Sequence, residues 1–166
     1  MSIFKKTVII TLLGLLSFVL YLSLFYNPCG YSLFSKKTPD KYNLLIANEG
    51  SHFKDSLVSL IIQHYNSKPV NIKVISLSSL SDAQPKNQDA ILILHSWYTW
   101  KPPKEVEIFI NNHYRCLNNI LVFSTSYQGD LKIEELDAIT GSSKMIDVKN
   151  YASKIIKKLS PLLNNY

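Results

Sequence analysis

Three short stretches of this 166-residue chain hold the side chains that could do chemistry. His95–Pro103 reads HSWYTWKPP and puts Trp97, Tyr98 and Trp100 close together. Large rings are ordinarily buried, each covering ~150–250 Å², so a cluster of them in a polar, proline-ended stretch suits stacking on a flat ring. Capping the core or touching membrane headgroups would use the same residues. Asn48–Ser56 reads NEGSHFKDS. Backbone N–H groups at a helix start, with the hydroxyls of Ser51 and Ser56, can hold a phosphate, and His52 is a further donor. Glu49 and Asp55 would repel one, and a surface or capping role also accounts for His52. Ser124–Asp130 reads STSYQGD; the hydroxyls of Ser124 and Thr125 and the hinge of Gly129 could follow a ring edge or simply turn the chain.

The elements around these stretches are readable from periodicity. Tyr42–Ala47 (YNLLIA), Ala90–Leu94 (AILIL) and Asn119–Phe123 (NILVF) are aliphatic runs of strand length, the kind found in central strands covered on both faces. Val70–Leu77 (VNIKVISL) alternates with period two and predicts another strand. A last strand is expected near Glu135–Ile139. Leu57, Leu60, Ile61 and His64 keep the i, i+3, i+4, i+7 spacing of one helix face. Lys104–Tyr114 predicts a helix with Val106, Phe109 and Ile110 inward, entered through Pro102 and Pro103. Val148, Tyr151, Ala152, Ile155, Ile156 and Leu159 mark a final helix with Asp147 as its N-cap. Ser78–Asp89 is too weakly patterned to predict a helix. Strands alternating with amphipathic helices argue for a three-layer α/β fold with a parallel sheet. The order 2-1-3-4-5 is the commoner small solution. The three polar stretches then meet beyond the carboxyl ends of the strands, where ligands bind in such sheets.

Several chemistries are excluded by what is missing. There is no G-x-S-x-G elbow and no G-x-x-x-x-G-K phosphate loop. His95 and Ser96 stand where a phospho-acceptor receiver would need an aspartate. The four histidines, His52, His64, His95 and His113, lack metal-ligand spacing. Two cysteines, Cys29 and Cys116, make no disulfide framework and no C-x-x-C; Cys116 is expected to be a small buried residue. No catalytic residue and no metal ligand is assigned.

Before the domain, Thr7–Tyr26 (TVIITLLGLLSFVLYLSLFY) is uncharged over 20 residues, enough at ~1.5 Å each to span the ~30 Å hydrocarbon of a bilayer. Lys5 and Lys6 precede it, and no small-x-small cleavage site follows, so residues 1–31 are expected to be an uncleaved signal-anchor transmembrane segment with Tyr21, Tyr26 and Tyr31 near the interface. Residues 32–41 form a linker and 42–166 the α/β domain. Lys36, Lys37 and Lys41 nearly balance Lys5 and Lys6 across the span. A short amino end more often stays inside, which places the domain outside the cytoplasm. Without Lys5 and Lys6, the 18 basic residues fall to 16 against 12 acidic. They are scattered, which suits a surface near anionic lipid; nucleic-acid binding would need a basic stripe.

From Tyr42 to about Leu163 the element order resembles the flavodoxin-like family, of the flavodoxin and FMN reductase type. AILILHSWYTWKPPKEVEIFINNH, Ala90–His113, is similar to the family's third strand, its aromatic or proline loop and the helix that follows, with Phe109 at that helix's phenylalanine. NILVFSTSYQGD resembles the fourth strand and a loop lying near the flavin, and LDAITGSSKMIDVKNYASKI the final strand-to-helix segment. The resemblance implies FMN as cofactor, held by Ser51, His52, Trp97, Tyr98, Thr99, Ser124 and Thr125. The family's phosphate loop resembles T-x-T-G-x-T, whereas NEGSHFKDS is acidic and lacks those threonines. Two functions follow: a membrane-anchored domain binding FMN for electron transfer or redox chemistry with a redox protein partner, or a non-catalytic tethered interaction domain that has kept the fold and lost the flavin site.

Overall fold

The computed structural model describes residues 10–20, 41–114, 117–127, 129–131, 133, 136 and 138–163. The chain divides into two compact units, residues 1–33 and 34–166. In the first, residues 10–20 form helix α1, and its apolar side chains are exposed. Eleven helical residues reach ~16 Å, about half of a bilayer core. Among the described residues no helix is long and apolar enough to cross a membrane, so the expected transmembrane helix is not found there. The rest of the apolar run, with Tyr21, Tyr26, Cys29 and Tyr31, lies outside the described residues, as do linker residues 32–40 and Cys116.

The second unit holds five strands: β1 (Tyr42–Asn48), β2 (Val70–Ser76), β3 (Ala90–Ser96), β4 (Ile120–Thr125) and β5 (Ala138–Gly141). Every pairing is parallel and the order is β2-β1-β3-β4-β5, as the alternation of aliphatic runs and striped helices implied. Leu44–Ala47 and Ala90–Leu94 are wholly buried, because helices cover both faces of the central strands. Side chains alternate between two cores. Leu44, Ile46, Leu92, Leu94, Leu121 and Phe123 face helices α2 (His52–Tyr65) and α4 (Val148–Leu163). Leu45, Ala47, Ile91, Ile93 and Val122 face α3 (Lys104–Asn112) and the 3-10 helix Leu77–Asp82.

The structure departs from the sequence reading in four places. The helix whose face was read from Leu57 onward begins already at His52, because Ser51 caps α2 and its hydroxyl accepts from the Lys54 N–H at 3.3 Å. The β2–β3 crossover uses two 3-10 helices, Leu77–Asp82 and Pro85–Asn87. Leu77 and Leu80, three residues apart, share one buried face there, and Pro85 with its serine-rich approach disfavours a longer α-helix. β5 lies at Ala138–Gly141, somewhat later than expected, with Ile139 opposite Phe123 and Gly141 opposite Thr125. Asp147 closes a 3-10 turn, Met145–Asp147, that runs directly into α4.

Gly141 is set by packing rather than by backbone conformation. A Cβ there would overlap the ring and hydroxyl of Tyr151, which with Phe53 and Phe123 forms an aromatic cluster; the Phe123 and Tyr151 ring centroids lie 5.1 Å apart. Gly141→Ala is therefore expected to cost about 1–3 kcal/mol in urea unfolding. In a Tyr151→Leu background, where the ring is gone, the same substitution should cost little; an equal cost in both backgrounds would show that Tyr151 is not what excludes the methyl.

Candidate functional site

Lys54 belongs to the stripe of α2 that faces the sheet: Lys54, Leu57, Val58, Ile61 and Tyr65 are all buried. Side chains on a helix lean toward its amino end, and the amino end of α2 stands at the carboxyl end of β1. The lysine ammonium therefore lies over the strand ends. Lys54 is 1% exposed, and its Nζ donates to Glu49 Oε2 at 2.8 Å, Ser96 Oγ at 2.7 Å and Thr125 Oγ1 at 3.2 Å. Those three acceptors match the three N–H groups of an ammonium. The Ser96 hydroxyl in turn donates to Glu49 Oε2 at 2.7 Å and lies 3.2 Å from Thr125 Oγ1. One clamp thus joins the ends of β1, β3 and β4.

Burial would raise the Glu49 carboxyl, but hydrogen bonds from Lys54 and Ser96, the Lys54 charge and the Tyr98 hydroxyl outweigh it and hold the group below its ordinary value. Tyr98 is raised in turn, chiefly by its bond to Glu49. His95 points to the opposite face. It is fully buried, its Nδ1 lies 3.1 Å from the Ser96 carbonyl, and burial lowers its pKa, so the imidazole is neutral.

Beyond β3 the chain makes a tight hairpin. Tyr98 and Lys101 exchange backbone hydrogen bonds at 3.0 and 2.9 Å, and the two residues between them, Thr99 (φ 45°) and Trp100 (φ 66°), both take left-handed conformations. Two-residue turns of this kind favour asparagine and glycine; a β-branched and a bulky residue there store strain of roughly 1–3 kcal/mol each. The turn holds Trp100 outward, 75% exposed. A cavity of about 270 Å³ opens between this hairpin and the loop after β4, walled by Trp97, Thr99, Trp100, Ser126, Tyr127 and Leu131. A second, of about 420 Å³, shares Trp97, Ser126 and Tyr127 with it and runs toward Ser142 and Ser143 after β5. Among the described residues, Trp97 Nε1 and His95 Nε2 are buried without a hydrogen-bond partner.

The residues singled out from sequence fall into three groups. Trp97 and Thr99 line the first cavity, and Tyr98 sits in the same hairpin, bonded to Glu49. Thr125 is buried in the clamp, while Ser124 turns to the other face and donates to the Leu131 carbonyl at 3.0 Å, bracing the loop after β4. Ser51 is the N-cap of α2, and His52 begins the helix with an exposed side chain. Sequence reasoning missed Lys54 and Ser96 and took Glu49 only as a repulsive charge. The spacing 54, 57, 58, 61, 65 was the available signal, since it places the lysine on the buried stripe.

No protein-family model matches the chain, and no curated protein sequence does. Solved structures do match. An archaeal flavodoxin is 14% identical, with a TM-score of 0.51 over 72% of this chain and 98% of that one. A flavodoxin from Pseudomonas aeruginosa is 9% identical (TM-score 0.47, 74% of this chain and 99% of that one). A flavo di-iron protein from Thermotoga maritima is 13% identical (TM-score 0.45), with 73% of this chain matching 37% of that longer chain. The chain has a flavodoxin-like fold. The sheet order, the parallel pairing and the likeness to the archaeal flavodoxin over nearly its whole length agree on this.

Two outcomes follow from the clamp. Lys54→Met leaves a part-buried carboxylate without its cation and is expected to cost about 3–5 kcal/mol, while Lys54→Met with Glu49→Met should recover most of it. A double variant as unstable as the single would refute the clamp. Stability should also fall with acid in two stages, because the folded state binds fewer protons than the unfolded one. His95, lowered by burial, gives a loss beginning below its ordinary value of 6.5. Glu49, lowered by its partners, gives a further loss below 4.5. Urea midpoints against pH would check this, and His95→Gln should flatten the upper stage, to which His64 and His113, also lowered, add in the same direction.

Proposed function

We propose that the chain is a membrane-tethered flavodoxin-like domain whose carboxyl rim binds a flavin-class ring for electron transfer. The observation that carries this reading is the cavity between the loops after β3 and β4, with Trp100 and Tyr127 among its walls. In sheets of this order the flavin mononucleotide site lies at the switch point between β1 and β3, beyond the strand ends, and the cavity opens one strand further along the same rim, between the loops after β3 and β4. Aromatic walls supply stacking, worth ~1–3 kcal/mol per stacked ring in the comparable case of nucleobases. Thr99, Ser126 and Asp130 offer polar contacts to a ring edge. When bound, a flavin would supply the electron chemistry, and the protein would place the ring and set its surroundings. The ring half of the cofactor therefore fits the residues present. The phosphate half does not, because the corner at the start of α2 carries Glu49 and Asp55 and is closed by its own hydrogen bonds.

The tether is supported by the uncharged run Thr7–Tyr26 and by the exposed apolar side chains of α1. We place the domain outside the cytoplasm, on the lipid-facing side where a redox protein partner would meet it. A second reading, a tethered interaction domain without a cofactor, is favoured by the same rim, since Tyr127 and Trp100, on one cavity, are both largely exposed.

Tryptophan emission separates the two. Trp97 and Trp100 are the chain's two tryptophans, so a flavin ring entering the cavity should quench both, and Trp100→Ala should weaken binding about tenfold. Emission unchanged by any flavin leaves the interaction domain as the surviving reading.

A further inference from the structure

We infer that the mouth selects an unphosphorylated ring system, riboflavin in preference to FMN, because Glu49 and Lys54 already fill the corner where a phosphate would have to sit. The inference rests on the flavin reading above and concerns the other half of the ligand.

A phosphate at a parallel sheet is ordinarily held by N–H groups at the start of the helix that follows the first strand. In this chain that turn is committed internally in part, and its side-chain charges oppose an anion. The Lys54 N–H goes to Ser51 Oγ at 3.3 Å, the Asp55 N–H to the Ser51 carbonyl at 2.7 Å and the Gly50 N–H to Asn48 Oδ1 at 3.2 Å. The Asn48 amide in turn donates to Asp55 Oδ1 at 2.7 Å. Two carboxylates, Glu49 and Asp55, flank the turn, and the cation among them, Lys54, has all three N–H groups directed at protein oxygens. A phosphate brought here meets two like charges. It can recruit Lys54 only by displacing Glu49 from it, which strands a part-buried carboxylate. In effect the Glu49 carboxylate is the anion of this site.

A tail of hydroxyls has somewhere else to go. The second cavity adjoins the first through Trp97, Ser126 and Tyr127 and offers the hydroxyls of Ser142 and Ser143. Lys144 stands at its edge but is exposed, where water and salt screen its attraction for a phosphate. The polyol chain of riboflavin matches such a lining without needing a buried charge.

The test titrates the full 166-residue chain in detergent micelles with riboflavin and with FMN at 0.15 M salt, reading quenching of tryptophan emission. Riboflavin is expected to bind at least tenfold more tightly than FMN. Glu49→Gln, which releases the Lys54 ammonium, should tighten FMN about tenfold and leave riboflavin within about threefold. Asp55→Asn, on the exposed side of the same turn, should act in the same direction more weakly and stands in should Glu49→Gln fail to fold. FMN binding as tightly as riboflavin, or more so, overturns the preference and leaves the ring reading intact. A loss of such FMN binding in Lys144→Met would then put the phosphate in the serine-lined cavity. Quenching by neither flavin overturns the ring reading and the preference together.

Discussion

An ammonium withdrawn from water at the ends of three parallel strands constrains everything around it. Removing such an ion from solvent costs several kcal/mol unless each of its protons finds an oxygen. Lys54 meets that demand with one carboxylate and two hydroxyls drawn from the ends of β1, β3 and β4. The carboxyl rim of the sheet is thereby tied together by charge where most of the fold is held by aliphatic packing. The position of α2 follows from the same contact, since the lysine reaches those oxygens only when the first turn of the helix sits against the end of β1. The loops after β3 and β4 leave from residues that the clamp fixes, Ser96 and Thr125, so the walls of the first cavity start from a rigid base.

Alternation across the sheet separates this polar device from a second one. Ser96 and Thr125 face α2 and α4, whereas their chain neighbours His95 and Ser124 face α3. On that other side His95 is neutral and bonded to a backbone carbonyl, and Ser124 braces Leu131. The strand ends are thus polar on both faces for different reasons. One face carries a charge network, and the other carries local hydrogen bonds that fix the outgoing loops. Moving either strand by one residue would exchange the two sets and take Ser96 or Thr125 away from the lysine.

Most of the scaffold was legible because its signals are periodic. Aliphatic runs such as AILIL have one physical solution in a covered parallel sheet, and the stripe through Val148, Ala152, Ile155 and Leu159 is buried as spaced. What escaped were features whose meaning depends on partners distant in sequence. Lys54 and Ser96 are 42 residues apart, and Lys54 and Thr125 are 71 apart; nothing in NEGSHFKDS by itself says that its lysine is buried. A charged residue is almost never fully buried unless paired, so a polar loop was the natural reading of Lys54 until its place on the α2 stripe is counted. The end of β5 at Gly141 was missed for a related reason. Its position is decided by pairing with β4 and by the small residue that the Tyr151 ring requires at Gly141, and neither constraint is local. The aromatic hairpin was found as a cluster, but its strain was not, since backbone conformation at Thr99 and Trp100 is invisible in composition.

That strain sets the two ends of the carboxyl rim apart. A chain that needed only to reverse direction after β3 would place glycine or asparagine in the two left-handed positions and lose the penalty. Threonine and tryptophan there are held against their preference, and strain of this kind persists where surrounding structure over-determines it, most often at ligand clamps. Its product is a tryptophan held outward on a cavity wall, with a tyrosine from the next loop on the same cavity. The corner at α2 is the opposite case: its helix is capped, the Gly50 amide has a partner and its cation is matched. A satisfied corner has no call for a ligand, whereas a strained turn presenting an exposed ring gains from one. The contrast between the two ends of one rim points to recognition through stacking, with charge kept inside the protein.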